Sequence, residues 1–417
     1  MTDRIQVAVD SEIGGLEAVL LHRPGPEIEN MTPQNAERAL YSDILNLPEA
    51  AAEYAVLEGV LARSARVLHV DELLADVLGD ETARAALLRR ICAREEVDRL
   101  EGALAALPAG ELARRLVEGI ALEPASLTDH LSAERHALRP LHNLFFMRDA
   151  AAAVGDRVLV GRMASAVRDR EAVILEAVLR CHPALRARTV EPDPQAGPSL
   201  KLEGGDVLVA REDLLIFGLG QRTSPQAVDF VVERLRETRG RFDVVVQELP
   251  AAPESFIHLD MVFTILDRDA CLVYEPVITG PSRLRTVHLR VEGGRVVSIR
   301  EDEHLLDCLR RLGLDLEPVA CGGHTDPWLQ EREQWHSGTN SFALAPGRVI
   351  VYARNVHTVE ELDRHGFAVV EARDVAEGRV DPAGYRRCAI ALPGSELPRG
   401  GGGPRCMTMP LRRAPVS

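Results

Sequence analysis

The sequence predicts a mixed α/β fold in which a strand–strand–helix unit recurs and a block of helices interrupts the recurrence. Short apolar segments of strand length repeat along the chain, with helical segments among them. One stretch rich in Ala, Leu, Arg and Glu has helical spacing throughout. The spacing of strand pairs and helices favours a repeated unit over one open, doubly wound sheet.

The N-terminal segment predicts two strands and then a helix. Residues 4–23 alternate apolar and polar side chains around Gly14 and Gly15, which is typical of a strand, a turn and a second strand. From Thr32 to about residue 65 apolar residues recur with helical spacing, and Thr32 before Pro33 is predicted to cap this helix.

The next segment is predicted to be an inserted helical bundle. From about Val70 to Ser132 apolar residues recur at three- and four-residue steps, with breaks at Asp80 and at 108–110. We predict the inserted bundle over residues 70–137 and a catalytic α/β domain over residues 1–69 and 138–417.

After Pro140 the chain is predicted to return to strands and helices. The predicted strands are 156–161, 206–210, 214–220, 261–267, 271–277 and 367–372, with two more around the Pro-Gly turn of 342–354. The predicted helices are 169–180, 224–238 and 302–312.

Composition argues against several classes of function. A net charge of -15 argues against nucleic acid as the main partner. The chain has no apolar run of the roughly 18 residues that a membrane span requires and no secretory signal pattern. Seven scattered cysteines form no CxxC pair, which favours reduced thiols in the cytoplasm over a zinc site. The sequence has neither a P-loop nor a GxGxxG loop, so we expect no nucleotide cofactor.

Six short clusters place polar residues within or beside apolar stretches. They contain Asn143, Arg148 and Asp149; Arg168 and Arg170; Glu203 and Asp206; Arg222; His258 and Asp260; and Cys406. Taken singly, most have structural explanations: an Arg-Asp pair is typical of a surface turn or an ion pair, EGGD is typical of a hairpin turn, and a buried cysteine behaves as a small hydrophobe.

Taken together, these residue types suit attack on a cationic carbon. A cysteine thiolate is a strong nucleophile, and a nearby cation lowers the pKa of the thiol. A histidine can transfer protons near neutral pH. Carboxylates accept the N–H donors of a planar guanidinium in pairs.

The order and spacing of the clusters resemble those of the arginine deiminase family, part of the guanidine-modifying superfamily. The resemblance rests on SEIGGLEAVLLHRPG near the N-terminus, on NLFFMRD, EGGD, QRTS, HLDMVFT and REQW followed by TNSFALAPG, and on GSELPRGGGGPRCMTMP. It covers almost the whole chain. It implies a five-bladed α/β propeller of ββαβ-type units, the pentein fold, with an inserted α-helical bundle.

The resemblance also implies a role for each matched residue. Cys406 matches the nucleophile, and His258 matches the general acid and base. Glu203 matches a residue that supports the histidine and contacts the guanidinium, whose nitrogens Asp149 and Asp260 bind. Four further residues match positions that bind the rest of the substrate: Asn143, Arg168, Arg222 and Asp206. The loop of Arg399, Gly400, Gly401, Gly402 and Gly403 matches a gate that opens for substrate and excludes water.

The implied reaction is hydrolysis of L-arginine to L-citrulline and ammonia through a covalent thiouronium on cysteine. It requires no metal and no organic cofactor, and the resemblance also implies a homo-oligomer. The chain departs from the family at Gly401, where an arginine is common, and at Met147 and Ala150–Ala153. These departures leave open a deiminase of a modified arginine, an amidinotransferase, or a catalytically weak homologue that binds a guanidine. Retention of Arg168 and Arg222 favours a substrate with a carboxylate.

Overall fold

The computed structural model describes residues 4–33, 35–132, 134–192, 197, 199–281 and 284–416. The strands in this part of the chain are β1 Leu16–Leu21, β2 Arg66–His69, β3 Ile120–Ala121, β4 His136–Leu138, β5 Ala151–Val154, β6 Arg157–Val160, β7 Arg188–Val190, β8 Val207–Arg211, β9 Leu214–Leu219, β10 Arg241–Glu248, β11 Phe263–Asp267, β12 Ala270–Val273, β13 Thr286–Glu292, β14 Arg295–Asp302, β15 Glu317–Ala320, β16 Phe342–Ala345, β17 Arg348–Tyr352, β18 Ala368–Glu371, β19 Cys388–Leu392 and β20 Met409–Arg413.

The α-helices are shorter on average than the predicted ones. They are α1 Pro26–Glu29, α2 Leu47–Ala62, α3 Val70–Val77, α4 Glu81–Glu95, α5 Glu101–Ala105, α6 Ala109–Glu118, α7 Leu127–Leu131, α8 Met147–Ala150, α9 Asp169–Cys181, α10 Pro225–Arg236, α11 Glu275–Ile278, α12 Leu305–Arg311, α13 Pro327–Trp335, α14 Val356–Arg364 and α15 Ala372–Ala376. Within the described ranges, none of the helices has the length and apolar character that crossing a membrane requires.

Five mixed sheets in the described part of the chain share one topology. In each, an antiparallel pair of strands takes a third strand parallel to its inner member. The five sets are β20–β1–β2, β5–β6–β7, β8–β9–β10, β11–β12–β15 and β16–β17–β19. Strands β13 and β14 extend the third sheet, and β18 extends the fifth. This topology agrees with the predicted recurrence of strand pairs.

The first sheet joins the two ends of the chain. Strand β1 is almost entirely buried and pairs parallel to β2 on one side and antiparallel to β20 on the other. Leu20 pairs with Met409 in this register. Because Cys406 lies three residues before Met409, the pairing fixes its position at the end of the first sheet.

Helices α3 to α7 fill the predicted insertion. The break at Asp80 is confirmed, since its side chain accepts a hydrogen bond from Ala83 N and caps α4. Helices α3 and α4 pack against α9, the helix that connects β6 to β7. Their apolar residues belong to the same hydrophobic cluster as those of α9. The division into domains at 70–137 stays a prediction.

Two predictions for the N-terminal segment are wrong. The helix predicted from Thr32 begins at Leu47, where the Asn46 side chain caps it by accepting from Glu49 N. The first strand of residues 4–23 is reduced to isolated bridges from Ala8 and Val9, because these residues contact several segments rather than one partner strand.

Two later elements also differ from their predictions. The strand predicted over 271–277 ends at Val273 and is followed by helix α11, which starts at Glu275-Pro276. A proline has no N–H for a ladder and suits the first turn of a helix. The helix predicted from residue 302 begins at Leu305, because residue 302 ends β14. The other two predicted helices and the two strands around the 342–354 turn are confirmed within a few residues.

Candidate active site

A cavity of about 290 Å³ brings most of the predicted site residues together. Its lining includes Asn143, Asp149, Arg168, Arg222, His258, Cys406 and residues 399–402 of the predicted gate loop. Phe146, Met261, Trp335 and His336 contribute apolar and aromatic surface. Glu203, Asp206 and Asp260 are fully buried outside this lining and contact it from behind.

The site residues occupy one recurring position in the fold, a few residues before the outer strand of each antiparallel pair. Asp149 precedes β5, Glu203 precedes β8, His258 precedes β11 and Cys406 precedes β20. Asn340 holds the same position before β16. Each of the five sheets therefore contributes one polar residue to the same region.

His258 is held between two carboxylates. Its Nε2 lies 2.8 Å from Oε2 of Glu203, and its Nδ1 lies 3.6 Å from Oδ1 of Asp149. Glu203 is itself oriented, since its Oε1 accepts a hydrogen bond from Ala164 N at 2.9 Å. Burial disfavours the imidazolium, but Asp149, Glu203 and Asp206 together raise the pKa of His258 to about 9. His258 is therefore protonated at neutral pH.

Asp206 supports the histidine segment from behind. Its Oδ1 accepts a hydrogen bond from Leu259 N at 2.9 Å, which fixes the backbone beside His258. Burial raises the pKa of Asp206 to about 7. The glycines of the EGGD motif have a packing reason, because a Cβ on Gly205 would lie 2.6 Å from the His258 ring. The sequence predicted a substrate contact for Asp206, but the structure places it off the cavity wall.

Cys406 lies beside the third carboxylate. Its Sγ is 3.8 Å from Oδ2 of Asp260, and its backbone N–H donates to Oδ1 of Asn340 at 3.0 Å. Burial and the charges of Asp260 and Asp149 raise the pKa of the Cys406 thiol well above its ordinary value. Without a further cation in the cavity, the sulfur is a neutral thiol.

The two arginines predicted to bind a substrate carboxylate have different environments. Arg222 lies in the cavity wall, with Nη1 at 3.6 Å from Oε1 of Glu203. Arg168 is buried and bridges two carboxylates, with Nη1 at 2.6 Å from Asp149 Oδ2 and Nη2 at 2.8 Å from Glu171 Oε2. Arg168 is thus already engaged by acidic groups, whereas Arg222 is the freer of the two.

Asn143 lies in the cavity wall, but its side-chain amide nitrogen donates to a residue outside the cavity lining. Its Nδ2 donates to the Ala39 carbonyl at 2.8 Å. The side chain therefore anchors the segment before α2 against the cavity, and its contact with the amino-acid end of a substrate stays a prediction.

The predicted gate loop is tightly packed on one side and open on the other. Arg399 donates to Asp43 at 2.8 Å and to Glu396 at 2.9 Å. Gly402 lies so close to the Phe146 ring that a Cβ there would overlap it, while a Cβ on Gly401 would meet open space. Gly401 has φ +85°, which glycine adopts without strain.

Three of the site residues could together ligate a metal ion. The donor atoms of Asp149, Glu203 and His258 lie within 4.8 Å of one another. These are the groups that hold the histidine proton, so the same arrangement serves proton transfer.

A family model for arginine deiminase matches residues 37–413. The chain belongs to the arginine deiminase family. The arginine deiminase of Oenococcus oeni is 31% identical over 100% of this chain and 99% of its own length. The arginine deiminase of Bacillus cereus strain ATCC 10987 is 32% identical over 98% of this chain and 99% of its own length. Members of this family are hydrolases acting on C–N bonds in linear amidines.

Solved structures show the same fold at low identity. The amidinotransferase SxtG from Microseira wollei superimposes with a TM-score of 0.56 at 14% identity, over 99% of this chain and 98% of its own. The inosamine-phosphate amidinotransferase from Streptomyces griseus gives 0.54 at 15% identity over the same shares of the two chains. This likeness identifies a mixed α/β fold of the pentein type.

Three residues of this arginine deiminase family member contact the site but were not predicted from the sequence. Asn340 binds the backbone of Cys406, and Arg405 and Glu12 form a buried ion pair next to Asp260. Asn340 carried a usable signal, because it stands in TNSFALAPG immediately before a strand. Arg405 stands beside Cys406 in GPRCM, whereas Glu12 carried no signal, because its partner is 393 residues away.

Proposed function

We propose that this protein is an arginine deiminase that hydrolyses the guanidinium of L-arginine to L-citrulline and ammonia through a thiouronium on Cys406. The observation that carries the proposal is a set of buried polar atoms without hydrogen-bond partners on the residues that line or adjoin the cavity. Oδ1 of Asp149, Oδ1 of Asp260 and Nδ1 of His258 have no hydrogen-bond partner among the described residues. A planar cation with several N–H donors satisfies the carboxylate oxygens of such a site.

Substrate binding would itself activate the nucleophile. The thiol of Cys406 has its pKa raised by burial and by Asp260 and Asp149. A guanidinium bound between these carboxylates offsets their charge and brings a cation next to the sulfur, which favours the thiolate. The thiol proton is lost to solvent as the guanidinium binds, and the thiolate then attacks the central carbon of the guanidinium.

His258 would act first as an acid and then as a base. With a pKa of about 9 it carries a proton at neutral pH, which it gives to the leaving nitrogen so that ammonia departs. The imidazole, now neutral, takes a proton from water as that water attacks the thiouronium carbon. The carbon–sulfur bond breaks, the remaining hydroxyl proton passes to the departing thiolate, and neutral citrulline is released. Glu203 keeps the ring oriented through both steps.

For the amino-acid end of the substrate, Arg222 is the first candidate. It lines the cavity, and its nearest acidic group is 3.6 Å away. Arg168 also lines the cavity, but its guanidinium is already bound by Asp149 and Glu171. We assign Asp206 to holding the backbone of the histidine segment rather than to substrate contact.

Several coarser features are part of the same proposal. The five sheets of common topology are proposed as the five blades of a propeller, with each blade supplying one polar residue to the central cavity. The helical bundle at 70–137, a homo-oligomeric assembly and a cytoplasmic location stay predictions. The other enzymatic readings, a deiminase of a modified arginine and an amidinotransferase, are not favoured by relatives that match the full chain.

The test is release of citrulline and ammonia from L-arginine in equal amounts. Cys406→Ala is expected to abolish both products, whereas Cys181→Ala, which removes an exposed free thiol, is expected to leave turnover unchanged. Mass spectrometry of an acid-quenched reaction should find an arginine-derived adduct on the peptide that contains Cys406. Wild-type protein that forms neither citrulline nor the adduct would contradict the proposal.

A further inference from the structure

Glu12 and Arg405 form a two-pronged ion pair in the interior. Oε2 of Glu12 accepts from Arg405 Nε at 3.0 Å, and Oε1 accepts from Nη2 at 3.1 Å. Oε1 of Glu12 also accepts from Val209 N at 3.1 Å. Both side chains are buried, so the pair is shielded from solvent and salt.

The third nitrogen of the same guanidinium holds Asp260. Arg405 Nη1 lies 2.8 Å from Oδ2 of Asp260, and Nη2 also donates to the Val207 carbonyl at 2.8 Å. Asp260 thus has one oxygen bound by protein and the other, Oδ1, without a partner among the described residues. A planar guanidinium gripped on three sides fixes the plane of the carboxylate that it binds.

The charged groups around this pair keep Glu12 ionised beside Arg405. Arg148 and Arg413 are buried nearby, and burial together with Arg405 lowers the pKa of Arg148 to about 9. Burial opposes ionisation of Glu12, but Arg405, Arg148 and Arg413 outweigh it and lower its pKa to about 2. Glu12 therefore remains an anion at neutral pH and anchors the arginine beside it.

We propose that Glu12 and Arg405 are a positioning pair, in which Glu12 anchors Arg405 and Arg405 turns one oxygen of Asp260 toward the reacting guanidinium. The inference rests on the proposed function, because it assigns Asp260 to the substrate. Neither residue of the pair touches the substrate through its side chain. Arg405 has a second effect, since it is a fixed cation next to Cys406 in sequence and favours the thiolate.

The first experiment compares Glu12→Gln with wild type in steady-state turnover of L-arginine. The amide keeps the shape but loses the charge that anchors Arg405, so kcat/KM is expected to fall roughly 10- to 100-fold, mostly through kcat. The matched control is Asp243→Asn. Asp243 is a buried carboxylate on β10 that binds His288 and Arg290 of β13, away from the cavity, and its variant is expected to keep wild-type kinetics.

The second experiment separates the charge of Arg405 from its geometry. The rate at which iodoacetamide alkylates Cys406 is followed against pH, with the peptide that contains Cys406 quantified by mass spectrometry. Arg405→Gln is expected to raise the midpoint of this profile, because it removes a cation beside the sulfur. Arg405→Lys is expected to restore the midpoint but not turnover, because an ammonium cannot bind both carboxylates as the planar fork does.

The outcomes distinguish this inference from the proposed function. Wild-type protein that does not turn over arginine contradicts the proposed function. Active wild type with Glu12→Gln within twofold of its kcat/KM contradicts the positioning pair alone, as does full turnover by Arg405→Lys. If Glu12→Gln does not fold, Glu12→Asp serves in its place, because it keeps the charge and shortens the reach. Retained kcat/KM in Glu12→Asp together with full turnover by Arg405→Lys would also contradict the pair.

Discussion

The two sides of the cavity hold their carboxylates in opposite ways. On the histidine side, formed by His258, Glu203 and Asp149, two acids share a cation that can lose its proton. On the cysteine side, formed by Cys406, Asp260, Arg405 and Glu12, the acids bind an arginine that cannot.

In the proposed reaction, this difference separates two tasks at one carbon. The histidine side stores a proton at a pKa of about 9, close enough to neutral pH for release and recovery. The cysteine side has a fixed charge pattern that orients a carboxylate and a thiol without exchanging protons. Asp206, with a pKa raised to about 7, lies behind the histidine side and is a second group there that titrates near neutral pH.

The largest expected effect comes from neutralising the histidine side. Glu203→Gln keeps a hydrogen-bond acceptor for Ala164 N but removes the charge that holds the imidazolium. We expect kcat to fall about 100- to 10,000-fold, the range for loss of general acid–base function, and more than in Glu12→Gln. Steady-state kinetics on both variants measures the comparison. A smaller loss in Glu203→Gln than in Glu12→Gln would reverse the assignment of the two sides.

The second prediction separates the sides by pH. The pKa of His258 is raised from about 6.5 in the unfolded chain to about 9 when folded, so its stabilisation is complete below pH 6.5 and is lost as pH rises through 9. The pKa of Glu12 is lowered to about 2, so its stabilisation is present above pH 4.5 and is lost as pH falls toward 2.

Urea unfolding of wild type and two variants measures these contributions. The difference in unfolding free energy between wild type and His258→Gln should shrink by on the order of 3 kcal/mol between pH 6.5 and 9. The difference between wild type and Glu12→Gln should stay constant over that interval. A constant difference for His258→Gln would show that the histidine side does not titrate as described.

The smallest expected effect comes from substitutions in the glycine loop that precedes Cys406. It tests how tightly this part of the cysteine side is packed. In Gly402→Ala the new methyl overlaps the Phe146 ring, which is expected to lower the free energy of unfolding by about 1 to 2 kcal/mol. In Gly401→Ala the methyl enters open space and only the φ of +85° is unfavourable, at about 1 kcal/mol. Equal stability of Gly402→Ala and wild type, measured by urea unfolding, would indicate a loop looser than this packing.

The sequence predicted the residues whose chemistry is local. His258, Glu203, Asp149 and Cys406 each stand in a short motif beside a strand. The structure brings His258, Asp149 and Cys406 to one cavity and places Glu203 behind His258. The sequence did not predict Glu12 as part of the site. The effect of Glu12 depends on an ion pair between opposite ends of the chain, and one sequence contains no pattern for such a contact.

One predictable element was missed. The hairpin of β13 and β14 was not predicted, although Val287, Leu289 and Val291 alternate with polar residues before the turn at Gly293-Gly294. Strands β16 and β17 were predicted, because a Pro-Gly turn separates two apolar runs. The burial of Arg168 between two acids was also unpredictable, since its neighbours in sequence suggest a solvated helix face.

The pairing of β20 with β1 has a consequence for how the protein is made. The ribosome synthesises the carboxylates and the histidine of the cavity long before Cys406, which enters only when β20 lies against β1. A growing chain therefore lacks the proposed nucleophile until the last strand in the described part of the chain is made. Shorter intermediates of synthesis are expected not to turn over arginine.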